Sequence, residues 1–170
     1  MTVTQKMILM LFLKTAPQDL PYSTRLLVQV IFLYVITGMM VVSGVVEPPL
    51  ALGRMVLNLA IILLFSYVLL SSLNLQARYL QTITALIGTG MIFNLLAWPV
   101  LIYDDSLKEQ GSIVLVMLSV FGLIGWEILV TAHIFRHALN TKMIQSVLLS
   151  MALFFVSLTL SQLIFAESVS

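Results

Sequence analysis

The chain has 170 residues, of which 61% are hydrophobic and only 9% are charged, with a formal net charge of +1. A soluble domain is usually about 25% charged, so this composition indicates a membrane protein without a separate soluble domain. No basic stretch with interleaved aromatic residues occurs, so nucleic acid is not an expected partner. Cysteine is absent, which excludes disulfides, cysteine-ligated zinc and iron–sulfur centres.

The N-terminal segment, residues 1–14, is an apolar stretch that is too short to span a membrane. Its apolar residues Met7–Leu13 are contiguous rather than periodic and are flanked by Lys6 and Lys14. This pattern predicts a short helix half sunk in the membrane interface, with a re-entrant segment or packing on the helical bundle as the alternatives. No small-x-small cleavage motif follows it, so we expect the segment to be retained rather than removed as a signal peptide.

Five long apolar runs follow, at about residues 25–46, 50–73, 80–103, 113–138 and 143–165. Each has roughly the 20 residues that a helix needs to cross ~30 Å of hydrocarbon. Membrane β-strands would instead alternate over about ten residues. The sequence therefore predicts an all-α fold, a polytopic bundle of five transmembrane helices forming one domain over residues 1–170. Pro99 should kink or terminate the third helix near its end.

The placement of lysine and arginine predicts the orientation in the membrane. Two of these residues fall on the side of the bundle opposite the N-terminus, and six fall on the N-terminal side. The two are Arg54 and Lys108, and the six are Lys6, Lys14, Arg25, Arg78, Arg136 and Lys142. We therefore expect the N-terminus in the cytoplasm and the C-terminus outside, in a bacterial inner membrane or an endomembrane.

The fourth run contains Glu127, the one carboxylate deep inside a hydrophobic stretch. A charged carboxylate there costs about 2.5–3.5 kcal/mol, so Glu127 should be neutral or face a partner. Thr131 lies four residues later on the same helical face. Together they form a candidate intramembrane polar site, suited to a proton relay, a cation or a polar ligand. The alternative is a structural hydrogen bond between helices, which nearby Gly122 and Gly125 would favour by allowing close packing.

The same run carries both histidines of the chain, His133 and His137, with Arg136 between them. Two histidines one helical turn apart can chelate a metal. A third histidine is lacking, so no metal and no cofactor are predicted. Cationic and aromatic residues near the C-terminal end of a helix are ordinary interfacial anchors, which is the interpretation we favour. Haem ligation by one histidine is a less favoured alternative.

Asn58 and Asn94 are a second polar pair, on the second and third predicted helices. Counting residues from the helix ends places both about 10–12 Å below the outer surface. Their equal depth predicts an interhelical hydrogen bond, worth about 0.6 kcal/mol on average. Lining a polar cavity that opens to the outside is the alternative.

Three stretches, LKTAPQDLPYS, ARYLQTITALIGTG and WEILVTAHIFRHAL, are similar to a group of uncharacterised small proteobacterial inner-membrane proteins. The order of five helices with a cytoplasmic N-terminus also resembles the topology of the Yip1-like membrane proteins, whose eukaryotic members act with small GTPases in vesicle traffic. The resemblance implies a five-helix bundle and transfers no catalytic residue.

The sequence predicts no enzyme, because it contains no phosphate-binding loop, nucleophile elbow or catalytic triad. Short loops and small residues on several helices predict a small integral membrane subunit that acts through helix–helix contacts, in scaffolding, assembly or a trafficking-like role. Its expected partners are membrane lipids and either another membrane protein or further copies of itself. The first alternative is an oligomeric transporter or a proton or cation permeation protein using Glu127. A haem- or redox-anchoring subunit using His133 or His137 is the second alternative.

Overall fold

The computed structural model describes residues 1–42, 47–106 and 110–165, with side chains for all of these except 102–106 and 110–113. Two 3-10 turns, Pro17–Asp19 and Gln76–Arg78, accompany six helices in this part of the chain, and no strand occurs there. The helices are α1 (Val3–Leu11), α2 (Thr24–Val42), α3 (Pro48–Ser72), α4 (Tyr79–Ser106), α5 (Gln110–Leu139) and α6 (Met143–Phe165). The all-α fold is confirmed.

Five of the helices, α2 to α6, are long and apolar enough to cross a membrane. The candidate spans are Thr24–Val42, Pro48–Ser72, Gln76–Leu101, Val114–Leu139 and Met143–Phe165. They agree with the predicted runs to within a few residues, so the multi-pass helical bundle is confirmed. Residues 43–46, the predicted end of the first span, and Lys108 in the polar loop lie outside the described residues.

The helix ends follow local backbone chemistry. The Ser23 hydroxyl accepts a hydrogen bond from the Leu26 amide at 3.3 Å, which caps the free amides at the start of α2. Pro48 occupies the first turn of α3, where its missing amide proton costs nothing. Asn74 and Asn140 follow α3 and α5 with φ values of 57° and 56°, in the left-handed region that asparagine tolerates at a helix end.

Pro99 does not terminate α4, which continues to Ser106. Termination at this position, one of the two predicted effects, is therefore wrong, and a kink stays a prediction. A proline inside a helix removes only its own bond to the carbonyl four residues earlier, here that of Leu95. Membrane helices tolerate such a loss because neighbouring groups can compensate for it.

The short helix α1 packs on the bundle. Met7, Met10 and Leu11 are buried, while Ile8 and Phe12 remain exposed. A Cβ atom at Gly88 of α4 would lie 2.7 Å from the Met7 methyl group, so the missing side chain of this glycine makes room for α1. The apolar run in the sequence is contiguous, so it gave no sign of which face of α1 would be buried. That the exposed face lies at the membrane interface stays a prediction.

Backbone carbonyls of residues 11–20 attach the N-terminal segment to the bundle. The Trp126 indole donates to the Leu11 carbonyl at 2.8 Å, and the His133 ring donates to the Thr15 carbonyl at 3.0 Å. The Gln81 amide donates to the Leu20 carbonyl at 2.6 Å. These contacts place α1 and the turn Pro17–Asp19 beside the start of α4 and the end of α5. We call this the N-terminal side of the bundle.

Packing differs between the two sides of the bundle. On the N-terminal side, apolar residues of α4 and α5 form a closely packed layer with almost no exposed surface. These residues are Ile83, Ala85, Ile87, Val130, Ala132, Ile134, Phe135 and Ala138. The first half of α5 is open by contrast, and Val114, Leu115, Leu118 and Phe121 are each 58–70% exposed. A cavity lies on the side of this packed layer away from α1.

Candidate functional site

A cavity of about 370 Å³ lies between α2, α3, α4, α5 and α6. Its apolar lining includes Leu57, Ile62, Leu86 and Phe154. Its polar lining comes from all these helices except α4 and consists of Tyr34, Arg54, Asn58, Glu127, Thr131, Ser150, Ser157 and Ser161. Small-molecule sites are usually concave, mostly apolar and furnished with a few convergent polar groups. This cavity has that character and sits within the membrane-spanning part of the fold.

Glu127 faces this cavity from α5. Its side chain is exposed to the open space, although its position along α5 is near the middle of a membrane span. Among the described residues, no hydrogen bond or ion pair reaches its carboxylate. A second cavity of about 100 Å³, between α4 and α5, also borders Glu127. The carboxylate therefore lies where two internal spaces meet, rather than within an interhelical bond.

Thr131 lines the same cavity as Glu127. The sequence places the two residues four positions apart on one helical face, and in the structure both line the cavity. Val130 and Ala132, on either side of Thr131, are fully buried in the packed layer. Thr131 thus stands at the floor of the cavity, where polar lining gives way to closed packing.

Asn58 joins three helices at the cavity wall. Its amide nitrogen donates to the Tyr34 hydroxyl on α2 at 2.7 Å, and its amide oxygen accepts from the Ser157 hydroxyl on α6 at 2.6 Å. A Cβ atom at Gly90 would lie 3.0 Å from the Tyr34 ring, so glycine lets this ring pack closely against α4. Because Tyr34 accepts from Asn58, its own hydroxyl proton can donate to a molecule in the cavity.

Asn94 does not bond to Asn58, so the predicted hydrogen bond between these two residues is wrong. The Asn94 amide lies 3.4 Å from the Thr37 hydroxyl and 3.5 Å from the Tyr34 carbonyl, both on α2. It also lines the smaller cavity beside Glu127. The alternative expectation, that these asparagines line a polar space, agrees with their positions. Asn58 lines the larger cavity and Asn94 lines the smaller one.

Arg54 lines the cavity, although its place in the sequence predicted only a contribution to the orientation of the chain in the membrane. Its Nε atom is buried with no hydrogen-bond partner among the described residues, and its Cζ atom lies 5.9 Å from the centre of the Phe165 ring. The helical spacing contained a signal, because Arg54 and Asn58 are four residues apart and share one face of α3. Ser150, Ser157 and Ser161 share one face of α6 by the same rule, and all line the cavity.

The histidine pair belongs to a different part of the molecule. The rings of His133 and His137 lie 4.5 Å apart between centroids. His133 is only 6% exposed and is covered by the Thr15 carbonyl, so it attaches the N-terminal segment rather than serving as an exposed anchor. Arg136 is exposed, as an anchor should be. No group of three potential ligands that could hold a metal ion occurs in the part of the chain that the structure describes.

Gly122 and Gly125 do not mediate close packing within the chain. A Cβ atom added at either glycine would meet nothing within 4 Å, so the expectation that they bring α5 against a neighbouring helix of the same chain is wrong. This result agrees with the open first half of α5, since Gly122 and Gly125 are both exposed. Close helix packing at these two glycines therefore gives no support to a purely structural role for Glu127.

No protein-family model, curated protein or solved structure matches the chain. The likeness to the small proteobacterial membrane proteins and to the Yip1-like topology therefore stays a prediction.

Proposed function

We propose that the protein is a small membrane transport protein whose cavity holds a charged or polar solute during its passage, with Glu127 as the principal binding group. The observation that carries this proposal is the Glu127 carboxylate, which faces the main cavity and has no hydrogen-bond or ionic partner among the described residues. An ionisable group inside a membrane segment is costly. A bound cation, protonated amine or proton would offset that cost.

The size and lining of the cavity support a small solute. A volume of about 370 Å³ falls in the lower part of the range of roughly 300–1,000 Å³ found for small-molecule sites. Hydroxyl and amide groups from α2, α3, α5 and α6 converge on it, and they can replace part of the hydration shell of a solute. The apolar residues between them would accommodate a short carbon chain.

The closed layer on the N-terminal side supports a mechanism with alternating access. Ile134 and Phe135 of α5 are almost completely buried beneath the cavity floor, so a solute at Glu127 has no path toward α1 in this arrangement. Alternating access requires a second arrangement in which this layer separates while the other side closes. Because five spans are few for a monomeric transporter, we expect several copies to associate.

We propose that the N-terminus is cytoplasmic and that the membrane is a bacterial inner membrane, on the basis of the six-to-two distribution of lysine and arginine. The natural absence of cysteine permits a direct test with single-cysteine variants. Lys142→Cys, in the exposed turn after α5, should react with a membrane-impermeant maleimide only after the cells are opened. Glu47→Cys, exposed before α3, should react in intact cells. The reverse pattern would contradict the orientation.

Filling the cavity tests the proposed function. Thr131→Phe places a ring at the cavity floor and should lower flux at least tenfold, because the solute and the ring would need the same space. The matched control is Ser119→Phe, at an exposed position on the same helix, which should retain wild-type flux. The measurement uses liposomes containing the purified full chain, with protons, butylamine, butanoate and 4-aminobutanoate as probes. If none of these probes crosses faster than in empty liposomes, the transport function is wrong.

The helix-contact role predicted from the sequence stays a prediction. The exposed apolar side chains of Leu118 and Phe121 on α5 agree with contact to another protein, but they agree equally with contact to lipid chains. The cavity gives the transport proposal a specific site, which the helix-contact role lacks.

A further inference from the structure

The main cavity contains two opposite charges on different helices. Arg54 lines it from α3 and Glu127 lines it from α5. No ion pair within 4 Å joins them, and neither has another ionic partner in the ranges 1–42, 47–101 and 114–165, for which side chains are described. Two opposite charges that share a cavity without touching leave room for a ligand between them.

Arg54 is suited to hold an anionic group. Its Nε atom is buried and makes no hydrogen bond among the described residues, and its guanidinium lies over the Phe165 ring at 5.9 Å. The guanidinium plane presents parallel N–H donors whose geometry matches a carboxylate. Asn58 lies one helical turn from Arg54, about 6 Å along α3, so the neighbouring wall is already fixed by the Asn58 bonds to α2 and α6.

Glu127 is suited to hold a cationic group. Its carboxylate can accept from a protonated amine, which has three N–H donors and no acceptor. Thr131 lies one turn away on the same face and offers a hydroxyl oxygen to the same amine. Arg54 and Glu127 therefore suit opposite charges within one cavity.

We propose that the solute is a small zwitterion, with a carboxylate that binds Arg54 and a protonated amine that binds Glu127. The inference rests on the proposed function and specifies its substrate class. A zwitterion neutralises both protein charges and adds no net charge to the membrane interior, where charge is costly. A simple amine would leave Arg54 without a counter-ion, and a simple carboxylate would leave Glu127 without one. Discrimination against both follows from these unpaired charges.

Three compounds with the same four-carbon skeleton test the inference. Equilibrium binding of labelled 4-aminobutanoate to the purified full chain in nanodiscs is measured, with unlabelled butylamine and butanoate as competitors. We expect the zwitterion to bind at least tenfold more tightly than either compound with a single charge. Glycine, 3-aminopropanoate and 6-aminohexanoate then vary the distance between the two charges, and one length should bind best. This comparison uses the unaltered protein, so it does not depend on the folding of any variant.

Two variants identify which charge binds which end of the solute. Glu127→Gln should reduce the preference for 4-aminobutanoate over butanoate. The substitution removes the partner of the amine, whereas the carboxylate that both compounds share can still bind Arg54. Arg54→Gln should reduce the preference for 4-aminobutanoate over butylamine, because it removes the partner of the carboxylate, whereas the amine that both compounds share can still bind Glu127. Glu47→Gln and Lys142→Gln, the same changes at exposed positions, should leave both preferences unchanged.

Several results would overturn the zwitterion inference. The first is that butylamine or butanoate binds as tightly as the best amino acid. The second is that no amino acid of the series binds. The third is that each variant weakens the binding of 4-aminobutanoate, butylamine and butanoate by the same factor. Transport of butylamine or protons without any amino acid would leave the transport function standing and remove only the inference about its substrate. If no probe either binds or crosses, the proposed function itself fails.

Discussion

Replacing Glu127 with glutamine is expected to reduce flux of butylamine and 4-aminobutanoate at least tenfold, while the protein still inserts and folds. Glutamine keeps the size of the side chain and removes its charge, so the cavity retains its shape. A tenfold effect corresponds to about 1.4 kcal/mol, which is slightly below the range of about 1.5–3 kcal/mol for a hydrogen bond to a charged group, because the glutamine amide partly replaces the carboxylate as an acceptor. The measurement is initial uptake into liposomes at equal protein content.

The folding stability of Glu127→Gln provides an independent readout. The described structure shows no bond to the carboxylate that the substitution would break, and removal of an intramembrane charge relieves its desolvation cost. The free energy of unfolding in mixed micelles should therefore be unchanged or higher. Glu47→Gln, at the exposed start of α3, is the matched control and should behave as wild type in both assays. Wild-type flux in Glu127→Gln would contradict a binding role, and strong destabilisation would indicate a structural one.

Replacing Gly38 with leucine is expected to lower the free energy of unfolding by about 2 kcal/mol or more, which is the scale of overpacking a well-packed interior. Gly38 is buried on α2, and a Cβ atom there would lie 2.1 Å from the Met55 sulfur and 3.3 Å from the Asn94 amide nitrogen. Met55 can move aside for one carbon, but a leucine side chain also needs the space of Asn94 and would break its contacts with α2. Unfolding in mixed micelles measures the loss.

Gly122→Leu is the matched control for this substitution. It makes the same change in another membrane helix, at a glycine where an added Cβ meets nothing within 4 Å. A surface change of this kind usually alters stability by no more than about 0.5 kcal/mol. Equal losses for the two variants would show that helix flexibility, rather than the close approach of α2 to α3 and α4, explains the effect at Gly38.

Residue spacing predicted the helices and their polar faces, because the period of a helix and the thickness of a membrane set both. The shared face of Glu127 and Thr131 follows from a separation of four residues. The depth of Asn58 followed from counting, but its partners did not. Counting gives a position along the helix axis and says nothing of which neighbour lies in each direction around it. Tyr34 and Ser157 could be paired with Asn58 only once the bundle was assembled.

The roles of Arg54 and His133 could not be predicted for the same reason. Each stands near an end of a span, where a cationic or aromatic residue ordinarily meets water. In the structure, Arg54 borders the cavity with its guanidinium over the Phe165 ring, and the His133 ring bonds to the N-terminal segment. Both arrangements depend on contacts with residues that are more than 100 positions away along the chain. Sequence patterns of short range carry no information on such contacts.

The attachment of the N-terminal segment has a consequence for biosynthesis. The Leu11 carbonyl bonds to Trp126, a separation of 115 residues, and the Thr15 carbonyl bonds to His133, a separation of 118 residues. At translation rates of about 5–20 residues per second, the partners of α1 emerge roughly 6–24 s after α1 itself. During that interval the N-terminal segment lacks its bonds to α5, although α4, whose Gly88 makes room for Met7, is made earlier. Because Ile8 and Phe12 of α1 are exposed and apolar, we expect α1 to lie on the membrane surface until α5 is inserted.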